Sequence, residues 1–111
     1  MKLRELIERA GLEILTDAGG LGNEVAGGYT SDLLSDVMGN SHEGQVWITM
    51  QTHMNVIAVA TLKEHSAVVF VSGNRPAGEV VEKAAAEGLT LLATHEEAFT
   101  ISGKIYALIG E

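Results

Sequence analysis

Residues 52–62 read THMNVIAVATL, and their conformation decides the fold. Their β-branched side chains favour a strand, whereas their length and position favour a buried helix. The run before them, QVWITM at 45–50, is rich in β formers. The run after them, SAVVFVS at 66–72, is almost continuously apolar, as a central parallel strand covered on both faces must be. A helix between two such runs makes a strand–helix–strand unit, and that is the reading adopted.

The alternation continues outward. Residues 76–87 place Ala77, Val80, Val81, Ala84 and Ala85 on one side of a helix, with Gly88 at its end. Residues 90–93 form a last strand, and Thr94 with Glu97 fits a capping box opening a helix that presents Ala98, Ile101, Ile105 and Leu108. Toward the N-terminus, Leu3, Leu6, Ile7 and Ala10 mark a first helix closed by Gly11. Residues 12–16 form a strand that runs into a glycine-rich loop, read as mobile. Val25-Ala26 suggests a second short strand. Thr30 or Ser31 then caps a helix carrying Leu33, Leu34, Val37 and Met38. The expectation is one α/β domain over residues 1–111, a three-layer arrangement with a mainly parallel sheet between helices.

Composition narrows the function classes. With 111 residues the chain supports one core and not two. It has no cysteine, which excludes disulfides and thiolate chemistry. Net charge is −8, from 15 acidic against 7 basic residues with no basic cluster, so nucleic acid and anionic membrane surfaces are poor partners. The N-terminal stretch MKLRELIERAG is charged throughout and lacks the apolar core of a signal peptide. The expected setting is cytoplasmic.

In parallel α/β sheets, ligands bind beyond the carboxyl ends of the strands. The expected strand ends there are Thr16-Asp17, Gly27-Gly28-Tyr29, Gln51-Thr52-His53, Ser72-Gly73-Asn74-Arg75 and Thr94-His95-Glu96. The stretch VFVSGNRP at 69–76 has two readings, a cradle for an anionic ligand or an ordinary turn and helix cap. Candidate ligand-binding residues are therefore Thr52, His53, Ser72, Gly73, Asn74, Arg75, Thr94 and His95.

The glycine loops match neither GxxxxGK[ST] nor GxGxxG, which argues against NTPase or dinucleotide binding. His42, His53, His65 and His95 lack metal-ligand spacing, and no motif calls for a cofactor. His53 or His95 could serve as a general acid or base with Asp17 or Glu96 as partner. The plainer reading of each is a surface or capping residue. No nucleophile elbow surrounds Ser72.

The segments Gly28-Tyr29-Thr30-Ser31-Asp32-Leu33-Leu34, Val46-Trp47-Ile48-Thr49, Asn55-Val56-Ile57-Ala58-Val59-Ala60, Val69-Phe70-Val71-Ser72-Gly73 and Thr94-His95-Glu96-Glu97-Ala98-Phe99 together resemble a stand-alone DRTGG domain. The resemblance covers nearly the whole chain. The arginine-bearing half of the family's name falls near residues 51–53 and the Thr-Gly-Gly half near 72–74, where Gly73 matches and Ser72 is a close substitute. It implies a fold similar to the N-terminal domains of HPr kinase/phosphorylase and of Mur ligases, in a module found beside CBS domains and acyl-transfer enzymes.

The leading expectation is a non-catalytic ligand-sensing or regulatory module, with an anionic small molecule or a regulatory protein as partner. A small enzyme using His53 or His95 is the alternative, and a purely structural subunit the third. The surplus of aliphatic residues further points to a homodimer, with Met38, Trp47, Met50, Met54 and Val56 as interface candidates.

Overall fold

In the computed structural model, which describes residues 1–110, Asn55–Leu62 is helical. Val56, Ile57 and Ala60 of this helix are buried, so its β-branched residues pack against a sheet instead of joining one. The elements run α1 (Leu3–Ala10), β1 (Glu13–Thr16), β2 (Gly27–Thr30), α2 (Leu34–Asn40), β3 (Gln45–Thr49), α3 (Asn55–Leu62), β4 (Ala67–Phe70), α4 (Gly78–Ala86), β5 (Leu91–Ala93) and α5 (Ala98–Ile109).

The sheet order is β1-β5-β4-β3-β2. Strands β2 to β5 are parallel, whereas β1 pairs antiparallel with β5. From β2 to β5 the chain crosses the sheet in one direction. Crossovers of one hand then place their helices on one face. Accordingly α2, α3 and α4 cover that face through Val37, Val56, Ile57, Ala60, Val80 and Ala84, packed on Trp47, Val68, Phe70 and Leu91. The opposite face is covered by α1 and α5, whose Leu3, Leu6, Ile101 and Ile105 pack on Val46, Ile48, Val69 and Leu92. Alternate residues of β3, β4 and β5 thus feed two apolar layers, which is why these central strands read as apolar runs.

Several local expectations are corrected. The second strand is Gly27–Thr30 and not Val25-Ala26, because Gly27 to Thr30 pair with Gln45 to Ile48. Thr30 therefore ends a strand, and α2 begins only at Leu34, with Val37 as its buried residue. Helix α4 starts at Gly78, two residues after Pro76, because Ala77 is extended. The Thr94–Glu97 capping box does not form. Glu97 is itself the cap position, and Thr94 Oγ1 instead accepts a bond from Glu96 N. The glycine loop is pinned: its Leu21 and Asn23 carbonyls accept the free N–H groups of Arg4 and Leu3 at the start of α1, and Thr90 Oγ1 donates to Asp17 O at 2.6 Å. Trp47 and Val56, expected at an interface, are fully buried in the monomer.

Candidate functional site

The parallel register brings the strand ends into line. Thr30 lies opposite Ile48, Thr49 opposite Phe70, and Phe70 opposite Ala93. The loops that follow, at 31–33, 50–54, 71–77 and 94–97, leave from one edge. Thr52, His53, Ser72, Gly73, Asn74, Arg75, Thr94 and His95 all lie on it. Asp17 does not. Because β1 is antiparallel, its first residue Glu13, opposite Ala93, reaches this edge, and Thr16 and Asp17 lie at the other end of the strand.

A crevice is set up between β4 and β5, since α4 departs to one face of the sheet and α5 to the other. Backbone bonds close its floor. Ser72 N donates to Glu96 O at 2.8 Å, and Gly73 N donates to Thr94 O at 3.1 Å. Asn74 N and Nδ2 both donate to Val71 O, at 3.0 and 2.8 Å. Ser72 and Gly73 occupy the left-handed region, with φ of 57° and 75°, so residues 71–74 form a tight turn with positive φ at both centres. The three amides that a phosphate cradle would need are engaged within the protein. VFVSGNRP is a turn that locks two loops together.

What remains open at this edge are side chains. Arg75 forks onto Glu13, with Nη1 and Nη2 at 2.8 and 2.6 Å from its two oxygens, and both residues are about half exposed. The hydrogen bond from Arg75 holds the Glu13 carboxyl below the ordinary glutamate value, and the charges of Arg75 and His95 act in the same direction. The same pairing raises Arg75. His95 is exposed, and its ring lies against Gly73. Glu96 is bonded by Lys104 Nζ at 2.6 Å.

Toward β3 and β2, Asp32 ties the loops. Its Oδ1 accepts from Thr49 Oγ1 at 2.8 Å and from Met50 N at 2.7 Å. His53 Nδ1 accepts from Asn55 N at 3.0 Å, a local bond at the start of α3. Among the described residues, neither His53 nor His95 shares a hydrogen bond with a carboxylate or hydroxyl, so the pairing that acid–base chemistry requires is not assembled here. Glu13, Asp32 and Lys104 were not among the candidate site residues, and Glu96, considered as an acid–base partner of a histidine, is bonded by Lys104 instead. Only the antiparallel placement of β1 gives Glu13 its role, and nothing local in the sequence signals it.

The chain matches no protein-family model and no curated protein sequence. It is similar in fold to a solved structure of the CBS and DRTGG domains of the regulatory region of Clostridium perfringens pyrophosphatase, complexed with its activator, diadenosine tetraphosphate. The TM-score is 0.73 at 17% identity, over 94% of this chain and 45% of that one. The present chain thus spans less than half the length of that neighbour. A DRTGG-like fold, expected from the resemblance, accords with this likeness.

Proposed function

We propose that this chain is a non-catalytic regulatory module that senses an anionic small molecule at the carboxyl edge of its sheet, with Arg75 and His95 as the charge contacts. The observation that carries the reading is the exposed Arg75–Glu13 fork beside His95. A phosphate or carboxylate offers a guanidinium the same pair of oxygens as Glu13 does, so an incoming anion exchanges with it. The locked turn at 71–74 fixes where Arg75 begins, and releasing Glu13 frees the edge strand β1. The fold neighbour is part of a regulatory region bound to an anionic activator, which supports a sensing role.

The test is calorimetric titration with pyrophosphate and with diadenosine tetraphosphate. Binding should weaken as salt rises, disappear in Arg75→Ala and tighten in Glu13→Gln, where the competing carboxylate is gone. Binding that ignores both substitutions, or no binding to either probe, overturns the reading.

The module works in the cytoplasm as a homodimer in this proposal. Leu33, Met50 and Phe99 are 64%, 50% and 91% exposed and all lie in or just after loops at the carboxyl edge. They occupy its β2–β3 side. Ser102, one turn beyond Phe99, bonds Thr30 of β2 at 2.7 Å, so the apolar group leaves the Arg75 region open.

A further inference from the structure

Helix α5 turns an uncharged, aromatic face outward. Phe99 and Tyr106 are 91% and 63% exposed, and exposed Gly103 lies between them on the same side, at the i, i+4, i+7 spacing of one helix face. Lys104 is the single charged residue of the helix, and Glu96 holds it at 2.6 Å. The outward faces of α1 and α4 carry Glu5, Glu8, Glu79 and Glu82 instead. Helix α3 is also uncharged outside but presents no aromatic side chain. Beside Tyr106, between α5 and the edge strand β2, is a cavity of about 120 Å³ lined by Gly28, Thr30, Ile48, Ser102, Ile105 and Tyr106. Ile48 and Ile105 give it an apolar floor, and Gly28 has no side chain to fill it.

Nothing within one copy of the chain calls for Gly103. Glycine is among the poorest residues for a helix interior. Yet Gly103 has no left-handed φ, and a Cβ on it would meet nothing within 4 Å. An exposed glycine does allow a second backbone to approach closely. The spacing specifies that backbone. Phe99 and Tyr106 stand about 10 Å apart along the axis at a rise of about 1.5 Å per residue, and their midpoint falls between Ser102 and Gly103. A second α5 laid antiparallel about that midpoint brings Phe99 opposite Tyr106 at both ends and the small residues together at the crossing. Aromatic pairs so placed attract one another. An apolar cavity of about 150 Å³ takes up benzene, so the one beside Tyr106 has room for part of a phenyl ring. Charge points the same way. Each copy carries a net −8, and two such chains meet with least repulsion where neither presents a carboxylate.

We infer that two copies of this chain pair through α5, antiparallel about a two-fold axis beside Gly103, with Phe99 of each copy against Tyr106 of the other and its ring at the mouth of the cavity between Gly28 and Tyr106. This pairing rests on the homodimer proposed above and specifies which faces form it. Four aromatic side chains of roughly 150–250 Å² each, with Leu33 and Met50 at the same carboxyl edge as Phe99, bring the buried area to the order of 1,200 Å², where stable interfaces begin. Glu13 of β1, at the other end of the strand order, and its partner Arg75 stay free.

The test uses the intact chain, which has no cysteine of its own. Gly103→Cys places a thiol beside the axis, and mild oxidation at micromolar concentration should join most of it into a covalent dimer. Glu82→Cys, on the outward face of α4 across the sheet, should stay a single chain. Gly103→Gln fits the monomer and suits a helix better than glycine, so circular dichroism should be unchanged. Its dimer dissociation constant, from sedimentation or light scattering, should rise at least about thirtyfold, because a two-fold contact suffers each substitution twice. A dimer that ignores Gly103→Gln, or one in which Gly103→Cys cross-links no better than Glu82→Cys, rejects the α5 contact while the homodimer stands. A single-chain mass at every concentration rejects both.

Discussion

A Cβ placed on Gly73 would stand 3.2 Å from Nδ1 of His95, at a backbone φ of 75°. Both constraints act on one residue, because the turn at 71–74 needs positive φ while the loop after β5 presses against it. Gly73→Ala should therefore cost about 1–2 kcal/mol in urea unfolding. Its neighbour gives the opposite sign. Ser72 holds φ of 57° and contributes its backbone N–H to the locked loops. Ser72→Gly relieves the left-handed strain at some cost in unfolded-chain entropy, for a net gain of up to about 1 kcal/mol. A loss in that variant would show that the serine side chain matters here.

Gly20 sits in the loop that composition alone marks as loose, yet a Cβ on it would meet Thr90 Oγ1 at 2.6 Å. Thr90 is buried, and that oxygen already donates to Asp17 O. Gly20→Ala must push the threonine aside and break this bond, at a cost of about 2–3 kcal/mol. In a Thr90→Ala background the same change should cost clearly less. Equal costs in both backgrounds would mean that the clash is not with Thr90.

These two glycines also show where sequence reasoning stops. The helix Asn55–Leu62 is legible within the 52–62 stretch because two strong β runs flank it and leave one arrangement in which all three bury their apolar residues. The parallel register and the carboxyl edge followed from that alternation. What could not be read were relations between distant segments. Glu13 and Arg75 are 62 residues apart, and only the antiparallel pairing of β1 with β5 joins them. Likewise the amides of Ser72 and Gly73 look free until the loop after β5 supplies the Glu96 and Thr94 carbonyls. Caps failed for a related reason: Thr94 has the right spacing for a box, but the helix begins where the 94–97 loop has finished locking the turn.

Phe99 is 91% exposed in the first turn of α5, and with Leu33 and Met50 it gives the β2–β3 side of the edge an apolar character. A stable two-fold interface buries roughly 1,200–2,000 Å² in total, with aromatic residues at its centre. Light scattering should give twice the mass of one chain, and Phe99→Ser should shift the population toward monomer. A single-chain mass that stays constant on tenfold concentration would rule the dimer out.

Acid should destabilise the fold through His65 before most carboxylates titrate. Desolvation lowers its pKa from 6.5 to about 4, and the charge of Lys63 adds to the effect. The unfolded chain takes up a proton near pH 6.5 that the folded chain refuses until about pH 4. Stability is thus full above pH 6.5, falls as pH drops through this window, and loses no more from this group below pH 4. The total amounts to about 3 kcal/mol. Glu13, Glu24 and Asp36, whose carboxyls are lowered by their hydrogen-bond partners, lose their contributions at more acid pH, which separates the two effects. Urea unfolding at a series of pH values should show the decline, and His65→Phe should flatten it between pH 6.5 and 4. Should that variant not fold, NMR titration of the wild-type ring reads the same quantity directly. A His65 that titrates near 6.5 in the folded chain would refute the buried neutral tautomer on which this decline depends.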